Sequence, residues 1–323
     1  MLLRSQVNYI ANLQPIFWVV LDQPRCQYTM NTTDLDANEI LVKGLEFLSG
    51  SFTLNLRHYF STKCVRFTAC FGAEPSVIAK VWADLYPIDI QRKMDMFFLC
   101  LYWLKNYPTE SVMAVKFGID EKKIRVWLWY YVDCLSDLER QLVTLPQHFP
   151  EKVHFPLAVD GTHCMIFEPM HEQYPMDRHY FSHKRKTAAY AYQLAISTTE
   201  SKILSIDGPY PAGQYNDKVM FRDSGLQDRL VSQNKWAIAD GGYEGLEGAA
   251  VPNRKYQSRT TNIYFRRNRA RIERLMGYFK NFGILSGTFR VKKNRKMKHG
   301  LVFRAVGAIV QTQLQTTNPI FEA

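Results

Sequence analysis

At 323 residues, 46% of them hydrophobic and 14% aromatic, the chain can bury a sizeable core in up to two domains, which excludes a disordered protein. Its net charge of +11 is uneven: residues 254–323 hold 16 Lys or Arg against two acids, +14, and leave −3 for the rest. A basic block of that kind fits a binder of phosphate backbones and argues against a sugar cleft.

Residues 1–70 match no pattern, apart from a loop at Asn31–Asp36 before a short helix. The one apolar run there, Ile16 to Leu21, is too short for a membrane span and poor as a signal peptide. Six cysteines (Cys26, Cys64, Cys70, Cys100, Cys134 and Cys164) form no CxxC pair, so a reducing compartment is expected, with no disulfide frame or zinc finger. Residues 71–150 read as helical. Apolar spacing of three and four predicts amphipathic helices over 75–85 and 91–104. Thr109 then caps a helix that Gly118 ends, and Asp120 caps a longer one over 120–135. The intervening turn has the length of a helix-turn-helix, which would expose Glu121, Lys122, Lys123 and Arg125 to a DNA groove. An ordinary helical bundle, with Trp127 and Trp129 in its core, explains the same pattern.

The period changes at residue 151. Pro156 to Val159 is too short for a helix and apolar on both faces, as a buried central strand is, and Asp160-Gly-Thr-His163 follows at its expected carboxyl edge. Residues 165–167 continue the sheet, 189–197 and 202–206 pair as antiparallel neighbours, and 215–223 forms a crossover helix. Trp236 to Ala239 is a second apolar strand ending at Asp240-Gly-Gly-Tyr243. A long basic helix over 261–282 and another over 300–315 complete a mixed-sheet α/β layer, placing a core at 151–290 and a basic segment at 291–323.

Neighbouring strands and a helix packed on them would bring Asp160, Asp240 and Glu273 together. Hard oxygen ligands of this kind suit Mg²⁺ or Mn²⁺. Two such ions ~4 Å apart clamp the attacking and leaving oxygens of a phosphoryl transfer. On the long helix Arg269, Glu273, Gly277 and Lys280 share a face, so one acid stands in a stripe that also holds Arg266, Arg267, Arg271 and Arg274.

These blocks resemble the DDE-type transposases of the PIF/Harbinger class and, more distantly, bacterial insertion-sequence transposases. The resemblance rests on Val-Asp160-Gly-Thr-His, Ala-Asp240-Gly-Gly-Tyr and Arg269-x-x-x-Glu273-x-x-x-Gly-x-x-Lys280. Tyr180-Phe-Ser-His-Lys-Arg-Lys186, Gly208-Pro-Tyr-Pro-Ala-Gly-Gln-Tyr-Asn-Asp217 and the stretch from Tyr107 to Asp120 extend it, so that it covers about residues 70 to 315. It implies an RNase H-like core with Asp160, Asp240 and Glu273 as catalytic, metal-binding residues, strand cleavage at element ends and transfer of a 3′-hydroxyl into target DNA. It further implies supporting roles for Asp217 and His163 and DNA contacts at Lys184, Arg185 and Lys186. Arg266, Arg267, Arg269, Lys280, Lys292, Lys293, Arg295 and Lys296 join those contacts as the basic stripe and tail. A nuclear protein without a membrane anchor is expected, with a separate DNA-binding helper and self-assembly as further partnerships. The alternative is a domesticated relative that binds DNA without cutting it.

Overall fold

The computed structural model describes residues 35–49, 60–168, 178–252, 258–291 and 295–317. Among the described residues six helices come first: α1 (Ala37–Ser49), α2 (Phe60–Phe71), α3 (Pro75–Asp84), α4 (Met94–Asn106), α5 (Glu110–Phe117) and α6 (Glu121–Leu142). Local chemistry sets their ends. Pro75 opens α3, where its missing N–H costs nothing. The Thr109 side chain accepts from Val112 N, Gly118 ends α5 in the left-handed region at φ 65°, and Asp120 accepts from Lys122 N and Lys123 N at the start of α6. All three residues do what the sequence expects of them. Arg125, however, is tied to Glu110 rather than left free.

Beyond residue 156 the chain forms the sheet: β1 (Leu157–Met165), β2 (Phe181–Ser182), β3 (Thr187–Ser197), β4 (Ile203–Pro211), β5 (Ala237–Ile238) and β6 (Ala249–Ala250). Helices α7 (Asp217–Asp223) and α8 (Leu226–Val231) lie between β4 and β5, and α9 (Arg259–Lys280), α10 (Gly283–Ser286) and α11 (Arg295–Thr316) follow β6. The strand order β2-β3-β1-β5-β6, with β4 also on β3, has β1 antiparallel to β3 and parallel to β5. This is the expected mixed α/β, RNase H-like sheet behind an N-terminal helical region.

The pleat divides the sheet's neighbours. Leu157 and Val159 pack into a small core with Phe221, Leu226 and Leu230 from α7 and α8. Ala158 and Cys164 face the large core, shared with Ile272 and Leu275 of α9 and Val306 and Ile309 of α11. That large core runs without a break into the N-terminal helices, from Ile40 to Leu314. Helix α11 is buried along most of its girth because it lies between α6 on one side and β4 on the other. Arg304 on α11 fixes the junction: it meets the buried Glu139 of α6 at 2.9 Å and donates to the carbonyl of Ile206 in β4.

Two expectations are corrected. The segments 156–159 and 165–167 are parts of one strand, because β3 pairs with β1 without interruption from Leu157 to Met165. Asp160 therefore stands inside a strand, not at its end. The second acidic strand is only two residues long, so on that side β1 loses its partner after Ala158.

Candidate active site

The short β5 creates the site. Because parallel pairing stops at Ala158, Asp160 is at the carboxyl end of the parallel part of the sheet although its own strand continues. Its Oδ1 accepts from the N–H of Gly161 at 2.7 Å. Asp240 comes two residues after β5 and turns the chain into a 3-10 segment, Gly241–Tyr243, by accepting from Gly242 N at 2.8 Å.

Asp217 completes this group. It is the first residue of α7, while the cap itself is Asn216, which accepts from Val219 N at 3.0 Å. A Cβ on Gly161 would stand 2.2 Å from Asp217 Oδ1, and one on Gly242 would stand 2.8 Å from Asp217 Oδ2 and 3.0 Å from Asp240 Oδ1. The glycines after Asp160 and Asp240 are thus the space into which the third carboxylate fits.

The electrostatics reflect that crowding. Burial pushes Asp160 up to about 6; the Gly161 N–H and Lys184 pull against it, and Asp240 and Asp217 push it further. Asp217 is raised for the same first reason, with Lys184 opposing and Asp240 adding. The Tyr243 phenol, buried beneath them and accepting from Gln193 Nε2 at 3.1 Å, is held far above its usual range by burial and then by Asp217, Asp160 and Asp240. These are groups that a nearby cation would relieve.

Glu273 is the expected member that stands apart. Its side chain is 65% exposed and lies 3.9 Å from Arg269, one turn earlier. Among the described residues no three His, Cys, Asp or Glu are close enough to hold one ion as they stand. Yet its helix is well placed. Phe265 of α9 packs edge-on against Phe155, and Lys280 Nζ donates to the carbonyl of His163 at 2.5 Å, so α9 runs alongside β1 in the same direction. Glu273 is about 12 Å along the helix from Phe265, a height that on the strand falls at Ala158 and Val159. Asp160 also turns to the α9 face of the sheet, as Ala158 and Cys164 do. Seven residues separate Glu273 from Lys280, so both occupy the same flank, and Lys280 already reaches β1.

The basic residues divide three ways. Arg266, Arg267 and Arg274 are exposed along α9, and Arg269 is half-buried. Lys280 also approaches Cys164 Sγ at 3.5 Å, and Arg295 donates to the carbonyls of Val291 and Phe167, so both have structural partners as well. Lys184, Arg185 and Lys186 lie on the exposed turn between β2 and β3, with Lys184 Nζ 3.4 Å from the carbonyl of Gly161. Lys296 is exposed, while Lys292 and Lys293 lie outside the described residues. The close Asp217 contact and the His163–Ser182 hydrogen bond, 2.6 Å, are the features that sequence reasoning did not place; the signals of the first were the motif that ends at Asp217 and the glycines near Asp160 and Asp240.

Residues 159–311 match the family model described as DDE superfamily endonuclease. That stretch, just under half of the chain, is similar to DDE superfamily endonucleases. The match opens inside β1, one residue before Asp160, spans Asp217, Asp240 and Glu273, and closes inside α11. Neither the comparison with curated proteins nor that with solved structures gives a match. Endonucleases of this superfamily use divalent metal ions and act on DNA. The donor set here fits such an ion: buried carboxylate oxygens whose charge burial and mutual repulsion disfavour. No helix among the described residues is long and apolar enough to cross a membrane.

Proposed function

We propose that this chain is a DDE transposase of the PIF/Harbinger type, which cuts phosphodiester bonds at the ends of its element and joins the freed 3′-hydroxyl to target DNA. The observation that carries this reading is the wedge of Asp217 between Gly161 and Gly242, beside Asp160 and Asp240, with Glu273 on the helix that runs alongside β1. Asp160, Asp217 and Asp240 would hold Mg²⁺ or Mn²⁺, two ions in the working state, and Glu273 would turn inward to complete the set. When bound, the metal lowers the cost of the charge that develops on the attacking and leaving oxygens. The arginines of α9 supply phosphate contacts along the duplex, and Lys296 with the neighbouring basic tail extends them. The turn between α5 and α6 leaves Lys122, Lys123 and Val126 exposed, a surface suited to contact with a DNA groove. A nuclear location, a separate helper for recognition of element ends and self-assembly belong to the same reading.

The outward Glu273 favours a second reading, a domesticated DNA-binding protein that no longer cuts. Nicking of DNA that carries the element's own terminal repeats, in Mn²⁺ or Mg²⁺, separates the two. The transposase reading expects nicking that is lost in chelator and in Glu273→Ala. Salt-sensitive binding with no nicking under any metal condition would instead select the non-cutting protein.

A further inference from the structure

The turn between β2 and β3 is built into the aspartate site by contacts that DNA binding alone does not require. Ser182, fully buried, receives the N–H of Arg185 on its Oγ at 3.0 Å and that of Lys186 on its carbonyl at 2.7 Å, and Lys186 adopts φ 57° to close the turn. The same Oγ shares a 2.6 Å hydrogen bond with Nδ1 of His163 on β1. His163 is thereby a strut between the strand of Asp160 and the turn of Lys184. Burial first, then the charges of Lys184, Lys280 and Arg185, hold its imidazole down to about 4, so it is neutral near pH 7 and suited to a fixed hydrogen bond rather than to binding phosphate. At the other end of the strut, Lys184 Nζ reaches the Gly161 carbonyl on the edge of β1 that β5 leaves unpaired. Its charge acts on both Asp160 and Asp217.

We propose that Lys184 is the resident counter-ion of the aspartate group, holding the place of a cation until divalent ions enter, and that His163 is a positioning residue that keeps it there through Ser182. This rests on the metal-dependent nuclease reading and adds to it a displacement step: metal entry releases the ammonium, which then lies within reach of a phosphate brought to the same carboxylates. The lysine thus limits how tightly metal binds without DNA.

The test is Mn²⁺ binding to the full chain without DNA, followed by electron paramagnetic resonance of the free ion, with melting temperature measured in parallel. Lys184→Met, on an exposed turn, is expected to bind Mn²⁺ about tenfold more tightly than wild type, since a competing charge is gone. Ser182→Ala and His163→Ala should shift the affinity the same way, and Ser182→Ala combined with Lys184→Met should add nothing to the lysine change alone. His163→Asn, which keeps a nitrogen or oxygen near the place of Nδ1, should return the affinity to wild type. A merely structural strut would lower the melting temperature and leave Mn²⁺ affinity unmoved, which overturns the positioning role. Mn²⁺ bound by wild type but no more tightly by Lys184→Met overturns the counter-ion role and spares the nuclease reading. No Mn²⁺ bound by wild type or by Lys184→Met overturns both.

Discussion

The edge of β1 and the flank of α9 face each other across one site, yet they are prepared differently. On the strand side the acids are half-buried, with Asp217 packed into the space of two glycines and Asp160 and Asp240 held by backbone N–H groups. On the helix side the acid is exposed, its one ion pair is long, and such a pair contributes ~0–1 kcal/mol. The strand side is therefore rigid and electrostatically strained before any ligand arrives, and the helix side is adjustable. Under the proposed nuclease reading, such a site would bind metal through its packed half and be completed from its exposed half.

The largest effects should come from the fixed half. Asp160→Asn and Asp240→Asn are each expected to lower Mn²⁺-dependent nicking by about a thousandfold or more, with DNA affinity retained; near-normal nicking in either would remove that residue from the site. Glu273→Gln should lose nicking almost as completely while its metal-free melting curve stays within roughly 0.5 kcal/mol of wild type. A destabilised Glu273→Gln protein would mean that the flank is as fixed as the edge. Gly161→Ala tests the wedge itself. Its new methyl group would displace the Asp217 carboxylate, at a cost of about 1–3 kcal/mol. Adding Asp217→Ala should recover stability but not nicking, and no recovery would place the strain elsewhere.

A smaller effect concerns pH. Asp160 rises from 3.8 to about 6 on folding, so between those values the native protein holds a proton that the unfolded chain has released. Its contribution to stability is full below about pH 4 and is lost as pH rises through 6, by at most about 3 kcal/mol in chelator. Mn²⁺ should abolish this fall, and denaturant titrations at pH 4 and 7 with and without the ion would measure it. The smallest effect should belong to the outer helix face: Arg267→Gln and Arg274→Gln should each reduce the salt slope of DNA binding by about one and leave stability unchanged.

Much of this was legible in the sequence. Thr109, Gly118 and Asp120 marked helix ends correctly because capping is local chemistry, and the apolar runs before Asp160 and Asp240 marked neighbouring strands because burial sets their composition. Strand length was not legible: whether β1 stops at Asp160 depends on how far β3 accompanies it, a non-local matter. The rotamer of Glu273 was also beyond the sequence, since helical spacing fixes its flank but not which charge it meets there. Asp217 was visible as a motif residue, but its place between Gly161 and Gly242 needed the loops in three dimensions. The partner of His163 was hidden for the same reason, nineteen residues away across a turn.

Helix α11 has a consequence for synthesis. Because it fills the gap between α6 and β4, and Arg304 on it pairs with Glu139, everything made before residue 295 emerges from the ribosome with two apolar faces bare and one carboxylate without its partner. Translation must be nearly finished before the core can close, so a message cut short after the codon for Glu273 yields all four acids but no closed fold, only a client for chaperones and proteases.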